Sequence, residues 1–488
     1  METSDEDSRE EGHGDAGTNA GTVAWVVPTR VVVIGASCRA AAQGIRRAGV
    51  PRIEARDEFL DADLLEVAQV CAATIAQPGS ETQELDAYCG VPLLLCGGME
   101  NRPEEVARYE KLGMVCGVSE GMLRSLRDPA NWEKWSKRAG IRWPKSLSAN
   151  DAITLERGIP EEGNWLLKSR ASAGGLGVQM VSGRSVGDSA TGGERECSGD
   201  EYFQEWVSGN SIGATFCSYS NGVCLVGIAR GLDASEYPGP LPFIYRGNIA
   251  PWSLPASANA QLLKFASLVT EETGVRGLWQ ADFVWQEESL EEGLLWLLEI
   301  NPRWSASMEL HDLAQGQVAE GNGKVLVREH LRAVLGDSAT SAWGGEMQGC
   351  DKQLQSGAEY QWQSVEVGAS VVYGKGVVYA PEDLVLNAEV QRRLWECRWD
   401  GVSPIGISEI DKGEGFWLAD IPSQVGIGPD GLRPDGLRPD GLRPDGLRIE
   451  RGMPIVSVLV GGQGERQVLE RLQAGRRVVL EWLGTDVR

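Results

Sequence analysis

The 488-residue chain holds only three histidines, no Cys-x-x-Cys pair and no long apolar run. Each shortage excludes something. A membrane-spanning helix needs roughly 18 or more consecutive apolar residues, and no such stretch occurs. A three-histidine metal centre would need His13, His311 and His330 together, yet His13 lies in a charged tail of small residues. The ten cysteines are scattered and read as reduced thiols. The first residues lack the basic-then-apolar pattern of a secretory leader, so the expected location is cytoplasmic. Cations are also short, with 46 Lys and Arg against 70 Asp and Glu for a net charge of −24. Such a surface repels phosphate backbones and anionic lipid, so neither nucleic acid nor membrane is expected as a partner.

At roughly 150 residues per domain, the length predicts about three domains. Residues 1–28 read as a disordered acidic tail. The run RVVVI (Arg30–Ile34), a helix from Arg39 to Ala48 and the run VPLLLC (Val91–Cys96) read as an open α/β domain over 29–120. Its first loop, GASCRA, lacks the later glycines of a dinucleotide fingerprint. Residues 121–335 alternate strands and helices in an α+β pattern and include a polar loop at 182–199. A linker over 336–360 leads to a β-rich domain over 361–488, with strands expected at 369–373, 376–380 and 454–460. Four tandem copies of PDGLR span Pro429–Arg448. Pro-Asp-Gly forms turns and the repeat has few apolar residues, so it reads as a loop expansion over 429–448.

Three segments carry chemistry. In WLLKSRASAGGLGV, an apolar strand delivers Lys168 just before Gly174, Gly175 and Gly177. A cation beside bare backbone N–H groups suits a polyphosphate. In EYFQEWVSG, the strand carrying Gln204, Glu205, Trp206 and Val207 has main-chain groups and apolar side chains suited to an adenine slot. The third is GLWQADFVW followed by LLWLLEINPRW. The loop between them makes a hairpin whose centre puts Asp282 nearly opposite Glu299, while Glu299 and Asn301 share a face. Two opposed carboxylates and an amide oxygen suit Mg²⁺ shared with phosphates, and Arg303 follows in reach of a phosphoryl oxygen. Arg230, Tyr245 and Arg246 lie where a substrate carboxylate could be met. Trp279, Trp285, Trp296 and Trp304 read as core.

The order of lysine and glycine loop, hinge strand, then Asp…Glu-x-Asn-Pro-Arg resembles the ATP-grasp superfamily over 121–335. The α/β segment before it resembles a pre-ATP-grasp domain. GASCRA, CGGMEN (Cys96–Asn101), RDP (Arg127–Pro129) and FIYRGNIAP (Phe243–Pro251) resemble a narrower group, predicted ATP-grasp carboligases linked to tetrahydromethanopterin-dependent one-carbon metabolism. The resemblance implies a ligase with ATP and Mg²⁺ (or Mn²⁺) as cofactors. A small-molecule carboxylate becomes an acyl-phosphate and is joined to an amine or another nucleophile such as a thiol. It also implies roles: Lys168 and the Gly174–Gly177 loop on the triphosphate, Gln204–Val207 on adenine, Asp282, Glu299 and Asn301 on the metal, and Arg303 as catalytic partner of the transferred phosphoryl group. One departure stands out. The family's phosphate-binding lysine near the start of the central domain is missing, since Pro129 follows Asp128, and Arg127 or Lys134 is left to substitute.

Alternative readings are a non-catalytic ATP-binding or regulatory protein and a bicarbonate-activating carboxylase, although no A-M-K-M carrier motif is present. A homo-oligomer is compatible with all of them.

Overall fold

A computed structural model describes residues 27–72, 88–148, 163–170, 173–182, 201–289, 292–318, 325–336, 371–399, 416–422, 427–428, 431–432 and 446–485. The expected tail, polar loop and linker, and most of the PDGLR repeat, fall outside them except at their edges.

Three larger sheets organise the described residues. The first is parallel, in the order Gln69–Ala72, Arg52–Asp57, Arg30–Gly35, Pro92–Leu95, Met114–Cys116. Its central strand is apolar throughout because both faces are covered, as parallel sheets require. Val32 and Ile34 pack with Val106 and Tyr109 of the helix Pro103–Leu112. Val31 and Val33 turn the other way, onto Ala41, Ala42 and Ile45 of the helix Arg39–Arg47. The turns leaving the adjacent strands Arg30–Gly35 and Pro92–Leu95 both emerge at the carboxyl edge, where open α/β sheets place their working residues.

The second sheet is antiparallel, ordered Ser146–Ser148, Glu201–Glu205, Asn164–Ser169, Gln179–Ser182. Strand alternation divides it cleanly. Trp165, Leu167 and Phe203 form a small core on one face. Leu166, Lys168, Tyr202, Gln204, Ser146 and Ser148 occupy register positions on the other.

The third sheet has eight strands, ordered Gly293–Asn301, Gly277–Glu287, Asn210–Tyr219, Gly222–Gly231, Gly247–Ala250, Val372–Tyr379, Pro454–Gly462, Trp417–Ala419. The helix Ala256–Thr273 covers one end, packing Leu262, Phe265 and Val269 with Phe216, Trp279 and Phe283. The helix Glu465–Trp482 covers the other, packing Val468, Leu472 and Val479 with Val456, Val458 and Val460. Strands from the last quarter of the chain therefore continue the central sheet. Where two strands were expected at 369–373 and 376–380, one runs unbroken from Val372 to Tyr379. Its Gly374 is a packing site rather than a turn: a Cβ there would lie 2.4 Å from the Val468 methyl. Among the described residues no helix is long and apolar enough to cross a membrane.

Candidate active site

The centre of the site is the hairpin Gly277–Glu287/Gly293–Asn301. Its register pairs Asp282 with Glu299 and Gln280 with Asn301, with a bulge just after Asp282. Ala281, Phe283 and Trp285, with Leu295, Leu297 and Ile300, are buried in the core. That leaves Gln280, Asp282, Glu299 and Asn301 together on the opposite side. The Asn301 amide donates to Asp282 Oδ2 at 2.8 Å and to Glu299 Oε1 at 3.2 Å. Gln280 Nε2 donates to Asp282 Oδ1 at 2.6 Å, and its own carbonyl accepts from the hydroxyls of Ser305 and Ser307, which fixes which way the amide faces. Burial, together with the Glu299 charge, raises the Asp282 pKa to about 7. Burial acts to raise Glu299 as well, but Arg127 and Lys168 outweigh it and hold Glu299 below the usual range.

Two arginines flank this group. Arg127 Nη1 donates to Glu299 Oε2 at 3.3 Å, to the Ile300 carbonyl at 3.0 Å and to Asn301 Oδ1 at 3.4 Å. Arg303 Nη2 reaches the same Asn301 Oδ1, also at 3.4 Å. Arg127 stacks over Trp132, while Arg303 makes a 2.7 Å ion pair with the fully buried Glu100. Of the two candidates for the missing lysine, the fold brings Arg127 to the carboxylates. Lys134 pairs with Glu272 at an exposed position.

The second sheet supplies the opposite wall. Lys168 is half-buried and donates to Gln204 Oε1 at 2.6 Å. Burial lowers its pKa, and the charges of Glu299 and Asp282 partly restore it, so the ammonium feels both carboxylates. Gly174, Gly175 and Gly177 all have left-handed φ values near +70°. The loop docks on the segment bearing Tyr245, whose N–H donates to the Gly174 carbonyl at 2.8 Å. A Cβ on Gly175 would fall 1.8 Å from the Phe243 carbonyl oxygen, so only glycine permits this approach. Glu205 sits at a register position on the reverse face of the sheet from Gln204 and is exposed. Trp206 is 39% exposed, and its N–H is already bonded to the Asn164 carbonyl. Val207 follows at the strand end, half-buried. Beside this wall opens a cavity of about 730 Å³, lined by Ser146, Ser148 and Tyr202 above and by Pro129, Arg142 and Trp296 below. Its size is within the range of small-molecule sites.

The remaining expected residues lie further off. Tyr245 is half-buried and donates through its hydroxyl to Asn248 at 2.6 Å. Arg230 lies two strands from the carboxylate hairpin, gripped by Glu236 and by Glu465 at 2.6 Å. Arg246 donates to the carbonyls of Ile244 and Leu241, and its buried Nε has no partner. Trp279, Trp285 and Trp304 are core, as expected, whereas Trp296 faces the cavity. Burial pushes His311 and His330 down to about 4, so both are neutral imidazoles inside the protein. His13 lies outside the described residues.

The donors fit a hard divalent cation. Two carboxylates face each other across the Asn301 amide, whose NH2 donates to both while its oxygen accepts from Arg127 and Arg303. Among the described residues no group of three or more His, Cys, Asp or Glu side chains gathers to hold a metal. The set therefore has two carboxylates and an amide, leaving positions open for ligand oxygens, as in nucleotide-bridged Mg²⁺ sites.

A wall with a half-buried lysine and a glycine loop, facing a hairpin with two acids and an amide, gives a cleft between two lobes whose groups fit a polyphosphate and a hard cation. Residues 128–307 match the family model of the ATP-grasp domain. No curated protein matches the sequence. Among solved structures, the chain is similar to the L-amino acid ligase from Bacillus licheniformis, with 12% identity over 94% of this chain and 98% of that one and a TM-score of 0.55. It is similar to N5-carboxyaminoimidazole ribonucleotide synthetase from Thermus thermophilus, with 15% identity over 94% and 99% and a TM-score of 0.52. The biotin carboxylase domain of Hydrogenobacter thermophilus 2-oxoglutarate carboxylase, solved with MgADP and bicarbonate, gives 14% identity over 91% and 89% and a TM-score of 0.53. At these identities the likeness is one of fold.

Proposed function

We propose that the protein is an ATP-dependent ligase that activates a small-molecule carboxylate as an acyl-phosphate and joins it to an amine or similar nucleophile. The observation that carries this reading is the convergence of Asp282, Glu299 and Asn301 with Arg127, Arg303 and Lys168 at one cleft between the lobes. Asp282, Glu299 and Asn301 would hold Mg²⁺, which supplies charge neutralisation of the phosphates. Lys168 and the Gly174–Gly177 backbone would hold the triphosphate, with the Gln204–Val207 edge beside adenine. Arg303 and Arg127 neutralise charge on the phosphoryl group as a carboxylate oxygen attacks it and ADP leaves. The amine then attacks the acyl carbon and phosphate departs. No enzyme nucleophile is required.

Tyr245 links the glycine loop to the interior and is the best placed of the substrate candidates; Arg246 follows, its guanidinium bonded to the Ile244 and Leu241 carbonyls. Free, scattered thiols support a cytoplasmic setting. Tetrahydromethanopterin-linked one-carbon chemistry is supported by the GASCRA, CGGMEN, RDP and FIYRGNIAP segments, three of which carry residues at or beside this cleft.

A thermal-shift titration tests the reading. Mg–ATP at about 100 times its dissociation constant stabilises the native state by roughly 2.7 kcal/mol, so a clear rise in melting temperature is expected. ATP with excess chelator should give little. ADP release on mixing pooled carboxylates and amines would then identify the substrates. No shift with Mg–ATP defeats the proposal.

A further inference from the structure

The turn that follows the strand Pro92–Leu95 touches both arginines of the cleft. It is a single 3-10 turn, Met99–Asn101, entered through Gly98 with φ +92°. Glu100 Oε1 accepts from Arg303 Nη2 at 2.7 Å, and Asn101 Oδ1 accepts from Arg127 Nη2 at 3.1 Å. Consecutive residues of one rigid turn thus hold two cations that approach the same Asn301 oxygen from different segments of the chain.

Glu100 is not an ordinary surface partner. Its side chain is 1% exposed and Arg303's 13% exposed. Burial alone would raise the Glu100 pKa, yet Arg303 first, and Arg127 with it, hold the pKa below the usual carboxylate value. The pairing is also incomplete: Glu100 Oε2 and Arg303 Nε are both buried without a partner among the described residues. A carboxylate tying Arg303 through one oxygen only restrains the guanidinium while leaving donor capacity unspent. Without Glu100, the nearest acids for Arg303 are Asp282 and Glu299, whose charges it already feels. It would then compete with a divalent cation for the very groups that bind it.

We propose that Glu100 and Asn101 are positioning residues for phosphoryl transfer, Glu100 aiming Arg303 and Asn101 aiming Arg127. They restrain both guanidiniums beside the Asn301 oxygen, Arg303 tied to Glu100 rather than to the metal carboxylates and Arg127 held at 3.3 Å from Glu299 Oε2. The proposal rests on the ligase reading above. It adds that the first sheet, through this turn, sets the geometry of the central cleft.

Double-mutant cycles on the full-length protein test it, with Mg–ATP dissociation constants from calorimetric titration as the readout. Glu100→Gln is expected to weaken Mg–ATP about tenfold, a size typical of losing a group that orients a ligand-binding residue. Asn101→Ala should weaken it less. The deciding result is the pattern of coupling. Glu100→Gln should have no further effect in an Arg303→Met background but keep its full effect in Arg127→Met; Asn101→Ala should behave in the reverse way. Glu100→Asp, which retains the charge, should recover most of the affinity and guards against a folding defect in Glu100→Gln. Equal effects in both backgrounds, or unchanged affinity in Glu100→Gln, overturn the positioning role while leaving the ligase reading intact. Absence of Mg–ATP binding by the wild type removes the ligase reading, and this proposal with it.

Discussion

Glu299→Gln is expected to lower metal-dependent ATP turnover by about three orders of magnitude, because a metal that stabilises transition-state charge by several kcal/mol is worth roughly tenfold per 1.4 kcal/mol. The substitution keeps the size of the side chain and the hydrogen bond from Asn301, but removes one of the two charges on the hairpin. Folding should survive it, since the two acids repel each other across the register in the absence of a cation. The metal-free melting temperature is therefore expected to stay near that of the wild type, because relief of the repulsion with Asp282 offsets the lost attraction to Arg127 and Lys168, while the increase given by Mg–ATP in the wild type shrinks. Asp282→Asn should act in the same direction. A variant that loses activity but also melts well below the wild type would instead mark Glu299 as a structural partner of Arg127. Titrating Mn²⁺ by its paramagnetic signal separates these outcomes: metal affinity must fall for the first and is unchanged for the second.

The hairpin was readable because its information is local. Strand alternation puts Glu299 and Asn301 on one face, and a short acidic loop centres the turn so that Asp282 meets Glu299, which is the observed pair. Lys168 and its glycines follow one another in sequence and meet the hairpin through an ordinary antiparallel sheet. The groups that tune the site were not readable in the same way. Glu100 and Asn101 arrive from the end of a parallel strand about 200 positions before Arg303, and no periodicity announces which turn will land on which arginine. Gln280 had a weak signal, since it stands two residues before Asp282 on the same face; the serines that orient it did not. Arg230 shows the converse. A basic residue near a cleft suggests an anionic substrate, yet Glu236 lies only six residues on and Glu465 comes from the last helix. The joining of Val372–Tyr379 and Pro454–Gly462 to the central sheet is a matter of strand partner choice at long range. The break expected at 374–375 is absent because the side chain that fills the space at Gly374 is Val468, from the last helix.

Arg39→Met is expected to destabilise the protein by about 3–5 kcal/mol, the usual result of removing one partner from a buried ionic group. Arg39 opens the first helix and is wholly buried. Its guanidinium pairs with Glu309, with Asp420 at 2.8 Å and with Asp63 at 3.5 Å. Lys375 adds a second cation, 3.0 Å from Glu309 and 2.8 Å from Asp420. Residues from the first sheet, the segment after the carboxylate hairpin and the last strands thus share one network. Acids outnumber bases in it. Burial raises Asp63 to about 6 despite Arg39, whereas Arg39 and Lys375 overcome the burial of Glu309 and Asp420 and hold Glu309 below, and Asp420 well below, the normal value. The signs set the pH dependence. Carboxylates with depressed folded pKa values contribute stability above their unfolded values near 4 and lose it as the pH falls; Asp63, with a raised value, contributes below about 4 and loses its contribution as the pH rises through 6. Without Arg39 every carboxylate it served moves upward, Asp63 furthest above normal because Lys375 still serves Glu309 and Asp420. The deficit of Arg39→Met in urea denaturation should therefore be largest near pH 8 and shrink towards pH 5, where the orphaned carboxylates take up protons. A deficit that does not change between those pH values would mean that Arg39 stabilises through the packing of its aliphatic stem rather than its charge. Arg39→Lys, which keeps one charge but loses the fork that reaches three acids, should fall between the two and retain part of the pH slope.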